Sequence, residues 1–256
     1  MKLFLKQSNK ILKANSKTMK QLLEKNEKEI LLEDRSILTS PLQRRSFLQF
    51  AGVSVAGIAL VAAGCKKDKN DTPIQTGVTL DFKDDFGVLN YAYALEQLEA
   101  AFYIKVASAP PSAFTPAEKA YFQDIQFHEI AHREYLKKAL GTAAVGSLEV
   151  DFSSINFADK ASVLGAAKAF EDLGVAAYNG AGKRLTTPAY LLAAGKIVSV
   201  EARHAAYIRD LITPGSFAAN DVIDANGLDK AFTPTQVLAA AGMYIKTKIN
   251  VVGLTA

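Results

Sequence analysis

Two Glu-x-x-His pairs lie in alanine-rich, helix-forming stretches of this 256-residue chain. They are Glu129 with His132 in FHEIAHREYL, and Glu201 with His204 in SVEARHAAYI. Residues three apart in an α-helix share a face, so each pair can direct a carboxylate and an imidazole toward one point. Carboxylates and imidazoles are ligands that suit iron and manganese. The two pairs therefore predict metal-binding chemistry.

Single glutamates in two further helical stretches extend this set. Glu171 lies in AFEDLGVAAY, and either Glu96 or Glu99 qualifies in ALEQLEAAFY. We favour Glu96 because Tyr103 follows it by seven residues, just as Tyr178 follows Glu171, while Glu99 stays the alternative. The order is then Glu, Glu-x-x-His, Glu, Glu-x-x-His, with gaps of 33, 42 and 30 residues between successive glutamates. Each gap fits one long helix and a connection.

The remaining histidine and the nearby tyrosines have more ordinary interpretations. A single Glu-x-x-His pair is weak evidence for a metal site. This chain, however, has only three histidines, and two of them fall inside the two pairs. His128 lies about 100° around the helix from Glu129, which predicts a surface residue or an outer contact of a ligand. Tyr103, Tyr178 and Tyr207 are predicted to fill the core.

Four helices must position these residues. The predicted helices run from about Asp84 to Ala107, from the Thr115-Pro116 cap to about Gly141, from about Asp159 to Leu185, and onward from Thr187-Pro188. The first connection is short, the second spans residues 141–158, and the third has about two residues. Short connections make antiparallel neighbours, whereas the long one permits a crossover.

A fifth helix is predicted after an irregular stretch at residues 213–232. It begins at the capping box Thr233-Pro234-Thr235-Gln236 and continues through AAAGMYIKTKI. Its apolar positions predict packing against the four-helix bundle or against a neighbouring subunit.

The amino-terminal part has the features of a targeting segment. Arg44 and Arg45 in QRRSFLQF precede an apolar run at residues 51–64, and this run ends at Cys65, the only cysteine. The pattern resembles a twin-arginine signal peptide joined to a lipoprotein cleavage site. It implies a leader at residues 1–64, a lipidated Cys65 that begins a flexible tether over residues 65–82, recognition by the twin-arginine export machinery, and attachment to membrane lipid in the bacterial cell envelope.

Charge and cysteine content exclude several classes of function. Residues 65–256 carry 19 basic and 21 acidic side chains, so no basic surface predicts a nucleic-acid partner. With Cys65 lipidated, the chain has no thiol for a disulfide, an iron-sulfur cluster or a zinc-thiolate site.

Ferritin-like carboxylate bundles have a defined set of metal ligands: one glutamate from each of two helices and a Glu-x-x-His pair from each of the other two. On these residues the chain resembles the ferritin-like superfamily. The segments LEQLEAAFY, HEIAH and EARHAAY resemble bacterial ferritin-like domain proteins of the desiccation-related type. The resemblance implies an all-α fold over residues 83–250: a ferritin-like four-helix bundle with a long crossover between helices two and three, plus an extra C-terminal helix.

The resemblance also implies a cofactor and a function. The cofactor is two iron ions, with manganese as the alternative, and the function is an exported oxidoreductase acting with oxygen or peroxide. The alternative is a non-catalytic metal-binding or stress-protective envelope lipoprotein, and homo-oligomer formation is left open. The resemblance implies that Glu129 and Glu201 bridge the two metal ions and that His132 and His204 supply one imidazole to each ion. It implies that Glu96 and Glu171 are the terminal carboxylates.

Overall fold

Residues 77–254 are described by the computed structural model. The predicted leader, Arg44, Arg45 and Cys65 lie outside this part of the chain. Four long helices dominate the described part, which confirms the all-α class. None of the helices in residues 77–254 is long and apolar enough to cross a membrane. The bounds are β1 (Val78–Asp81), α1 (Asp85–Ser108), α2 (Pro116–Leu140), α3 (Lys160–Gly182), α4 (Pro188–Ile212), α5 (Pro234–Ala241) and β2 (Ile249–Val252).

The starts of the long helices follow from local capping chemistry. Thr115 caps α2, since its hydroxyl accepts from the Glu118 amide at 3.2 Å and the Glu118 carboxylate accepts from the Thr115 amide at 2.7 Å. The helix α4 begins after Thr187 as predicted, but within the described chain the Thr187 side chain makes no capping bond. Instead, the Asp85 carboxylate of α1 accepts from the amides of Thr186 and Thr187, each at 2.8 Å. This interaction ties the start of α4 to α1.

The four long helices pack as two hairpins. The helix α1 packs chiefly against α2, and α3 packs chiefly against α4. The connection between α3 and α4 is longer than predicted, because α3 ends at Gly182 and residues 183–187 form a turn. Both hairpins therefore have the antiparallel arrangement that short connections impose.

The long connection between α2 and α3 covers the outer side of α1. Residues 87–100 of α1 are all buried. The buried Asn90 donates to the Ala143 carbonyl at 2.9 Å and accepts from the Val145 amide at 2.8 Å, and Gln97 accepts from the Leu148 amide at 2.9 Å. These bonds satisfy backbone groups that the loop would otherwise bury unpaired. The predicted crossover therefore also buries the outer side of α1.

The carboxyl-terminal region departs from the predicted long fifth helix. The helix α5 ends at Ala241, a 3₁₀ turn follows at Gly242–Tyr244, and residues 249–252 form β2. The strand β2 pairs in parallel with β1, with Val78 opposite Ile249. The predicted tether to residue 82 was accordingly too long, since β1 begins at Val78. In both places β-branched residues favour a strand, and each strand supplies the backbone partners of the other.

Candidate metal centre

The structure brings together the six residues that the sequence selected. Among residues 77–254, two groups of acidic and imidazole side chains have ligand atoms that all lie within 4.8 Å of one another. The groups share two glutamates, one from each Glu-x-x-His pair. Glu99 belongs to neither group. The first group is Glu96, Glu129, His132 and Glu201, and the second is Glu129, Glu171, Glu201 and His204.

The first imidazole is close to three carboxylates. His132 Nδ1 lies 2.8 Å from Glu201 Oε1, 3.5 Å from Glu129 Oε2 and 3.6 Å from Glu96 Oε2. None of these four atoms has a hydrogen-bond partner among the described residues. The contacts are within ion-pair distance, but none of them has hydrogen-bond geometry.

The second imidazole repeats this arrangement. His204 Nδ1 lies 2.9 Å from Glu129 Oε1, 3.4 Å from Glu171 Oε2 and 3.8 Å from Glu201 Oε2. These four atoms also lack a hydrogen-bond partner in residues 77–254. Buried polar atoms are normally hydrogen-bonded, so eight donor and acceptor atoms without a hydrogen bond around one space fit a metal-binding site better than they fit a packed core.

The burial of the carboxylates strengthens this conclusion. Glu96, Glu129, Glu171 and Glu201 are all 0% exposed. An isolated buried carboxylate pays a large desolvation cost unless it is neutralised or coordinates a metal. The donor set, two imidazoles and four carboxylates without a thiolate, therefore fits iron or manganese.

Two tyrosines hold the unshared glutamates in a reciprocal arrangement. The Tyr178 hydroxyl of α3 donates to Glu96 Oε1 of α1 at 2.5 Å, and the Tyr103 hydroxyl of α1 donates to Glu171 Oε1 of α3. In each carboxylate the other oxygen, Oε2, is left for the metal space. The tyrosines were predicted to fill the core, and they do lie in it, but each also orients a glutamate on the opposite helix. Tyr103 follows Glu96 by seven residues and Tyr178 follows Glu171 by seven residues, and this equal spacing was the sequence signal of the reciprocal hydrogen bonds.

His128 is the outer contact of a candidate ligand. Its Nδ1 lies 2.9 Å from His204 Nε2, and the two rings are nearly parallel at an interplanar angle of 6°. His128 itself is exposed. With His204 Nδ1 facing the carboxylates, a proton on Nε2 donates to His128 Nδ1 and fixes the ring orientation, as outer partners of metal-binding histidines do. A surface residue and an outer contact of a ligand were the two predictions for His128, and it is both.

The acids and imidazoles of the centre shift one another's pKa values. Burial opposes the charged form of Glu201, but the nearby imidazoles of His132 and His204 lower its pKa to about 2. Burial likewise opposes protonation of His204, yet Glu171 and Glu129 raise its pKa to about 12. Burial, increased by the Glu201 charge, raises the pKa of Glu129 well above its ordinary value. Glu201 therefore stays ionised beside a protonated His204, whereas Glu129 keeps its proton, and a metal ion would take the place of these protons.

A glycine and a fifth buried acid adjoin the shared glutamates. Burial and the charge of Glu201 raise the pKa of Glu99 well above its ordinary value. A Cβ at Gly174 would lie 2.9 Å from Glu99 Oε1 and 3.7 Å from Glu201 Oε2. The sequence did not single out Gly174, although a glycine inside a helix three residues after Glu171 was an available signal.

Comparison with known proteins adds one match. The family model of the ferritin-like domain matches residues 84–214, about half of the chain, which covers all of α1 to α4. No curated protein matches the chain.

Proposed function

Since this chain belongs to the ferritin-like domain family, we propose that it is a di-metal carboxylate protein and an oxidoreductase that uses oxygen or peroxide. The observation that carries the proposal is the pair of ligand groups that share Glu129 and Glu201. Two groups joined by shared carboxylates suit two adjacent ions rather than one. Iron is the proposed metal, with manganese as the alternative.

The proposed ligands divide into three roles. Glu129 and Glu201 belong to both groups and would bridge the ions, while His132 and His204 would each bind one ion through Nδ1. Glu96 and Glu171 would complete one ion each through Oε2, since their Oε1 atoms accept from tyrosine hydroxyls. When bound, two redox-active ions supply the electrons that reduce oxygen or peroxide.

The protein's own groups orient the centre and control its protons. Tyr103 and Tyr178 fix the unshared carboxylates, and the packed helices keep bulk water away from the four fully buried glutamates. His204 donates from Nε2 to the exposed His128, which links the ligand imidazole to solvent. With Nε2 holding its proton in this bond, Nδ1 is the nitrogen of His204 that is left for a metal ion.

Metal loading followed by turnover tests the proposal. The purified protein is loaded anaerobically with iron(II) or manganese(II), its metal content is measured, and oxygen or peroxide consumption is followed optically. Two metals per chain with consumption of oxidant support the oxidoreductase, and a Glu129→Ala/Glu201→Ala variant should show neither. Two metals without turnover would support the non-catalytic, stress-protective alternative. Many irons per chain in a large soluble assembly would indicate storage and contradict both.

We also propose that the protein is of the desiccation-related type and is exported in folded form by the twin-arginine machinery. The segments LEQLEAAFY, HEIAH and EARHAAY support the type, and residues 44–65 support export through the arginine pair, the apolar run and Cys65. A centre that is loaded with metal before export has a reason to use a route for folded proteins. Cys65 would then carry the lipid that holds the domain in the cell envelope. We expect Cys65→Ser to move the protein from the membrane fraction to the soluble fraction.

A further inference from the structure

Glu99 is a buried acid that no hydrogen bond explains. The residue is 4% exposed, and its Oε2 has no hydrogen-bond partner among residues 77–254. In the described residues, the other buried acids outside the two ligand groups are Asp85 and Glu118. Asp85 accepts from two backbone amides, and Glu118 pairs with Lys160 at 2.6 Å. Glu99 is thus the exception, and a buried polar group without a partner calls for an explanation.

The position of Glu99 points to the metal centre. It lies on α1 one turn after Glu96, and its carboxyl group occupies the room that Gly174 leaves on α3. A Cβ added at Gly174 would lie 2.9 Å from Glu99 Oε1 and 3.7 Å from Oε2 of the shared Glu201. The glycine therefore admits a carboxylate beside Glu201. Gly165, in the same helix, is different, because a Cβ there would meet nothing within 4 Å.

The number of donor atoms leaves room for another ligand. Each group offers one ligand atom from each of four residues. An octahedral ion takes six donors, so each ion would have positions that its group does not fill. We propose that Glu99 is a seventh protein ligand of the metal pair and occupies one of these positions on the Glu201 side. This inference rests on the proposed di-metal function.

Two substitutions at Glu99 test the inference, each with two measurements. Glu99→Gln keeps the size of the side chain, and Glu99→Leu replaces the carboxyl group with an apolar group of similar size. Titration of the metal-free protein with manganese(II) in a calorimeter should show a loss of affinity of about 10–100-fold in both variants, the size of effect known for residues supporting a metal site. Metal-free Glu99→Leu should melt no lower than the wild type, since it removes a buried carboxyl group with an unpartnered oxygen.

A structural role for Glu99 predicts the opposite pair of results. Unchanged manganese(II) affinity together with a lower melting temperature of metal-free Glu99→Leu would overturn the inference. Unchanged affinity in both variants would overturn it whatever the melting temperature.

A pair of glycine substitutions tests the same point without altering Glu99. Gly174→Ala should weaken manganese(II) binding, because the new Cβ displaces the Glu99 carboxyl group. Gly165→Ala is the matched control and should bind as the wild type does. Equal binding by the two alanine variants would contradict the inference.

The wild-type titration separates this inference from the proposed function. Wild-type protein that binds no metal would remove the proposed function and this inference with it. Two metals in the wild type, with the same affinity in the Glu99 and Gly174 variants, would leave the proposed function standing and remove only the role of Glu99.

Discussion

The sharing of two glutamates makes a graded prediction about metal content. Glu96 belongs to one ligand group, whereas Glu129 belongs to both. Glu96→Ala should therefore empty one metal position, and Glu129→Ala should empty two. The two residues are equally buried, at 0% exposure, so burial does not separate them.

The expected stoichiometry follows from the loss of affinity. Removing a residue that only supports a ligand costs about 10–100-fold in affinity, and we take about 100-fold for removal of a ligand itself. At free metal about tenfold above the wild-type Kd, each wild-type position is about 0.9 occupied, and a weakened position is about 0.1 occupied. The wild type should then hold about 1.8 metals per chain, Glu96→Ala about 1.0 and Glu129→Ala about 0.2.

The assay is equilibrium dialysis against manganese(II) followed by elemental analysis, with circular dichroism to verify the helical fold. Glu118→Ala is the matched control, since Glu118 is a buried glutamate of the same helix as Glu129 and pairs with Lys160 instead. It should hold as much metal as the wild type. Equal metal content in Glu96→Ala and Glu129→Ala would refute the shared-ligand arrangement, as would full retention by Glu129→Ala.

Three further outcomes are expected. Tyr178→Phe should keep the fold but weaken metal binding by about 10–100-fold, measured calorimetrically, because Glu96 loses the donor that orients it; unchanged affinity would show that the hydroxyl has no orienting role. Metal affinity should rise with pH, since His204 has a pKa of about 12 and must lose its proton to bind a metal ion. Below about pH 7 the affinity should fall more steeply, because Glu171, with its pKa of about 7, also gains a proton. Metal titrations from pH 5 to 9 measure this dependence, and a flat profile would show that no proton is displaced. Burial opposes ionisation of Asp85, but hydrogen bonds from Thr187 and Thr186 lower its pKa to about 2, so its carboxylate stabilises the fold above the ordinary value of 3.8 and loses this effect as the pH falls to about 2; Asp85→Asn should cost about 2 kcal/mol in urea unfolding at pH 7 and little near pH 2, and an equal cost at both pH values would contradict the ionic interpretation.

The helices were predictable because their signals are local. The capping box at Thr115 and the prolines at the first helical positions fixed the starts of α2, α4 and α5 to within a residue. The convergence of Glu-x-x-His pairs follows from the helical repeat alone. The spacing also gave the crossover, since a long connection between two short-looped hairpins has few other paths.

The carboxyl-terminal strand was not predictable from local signals. Residues 245–249 continue a helical pattern, yet α5 ends at Ala241, and Ile249–Val252 pairs with Val78–Asp81, more than 160 residues earlier. A strand's hydrogen bonds lie with another segment of the chain, so its own sequence does not determine whether it forms.

The sequence by itself determined the four helices, five of the six converging residues and the metal class that their chemistry suits, because helix periodicity and ligand type are properties of neighbouring residues. Only the tertiary structure decided how these residues meet. It placed Glu96 in a ligand group and Glu99 beside it, it crossed Tyr103 and Tyr178 between α1 and α3, and it set His128 against His204. Those pairings join different helices, and the relative rotation and depth of packed helices depend on the whole core rather than on any one segment.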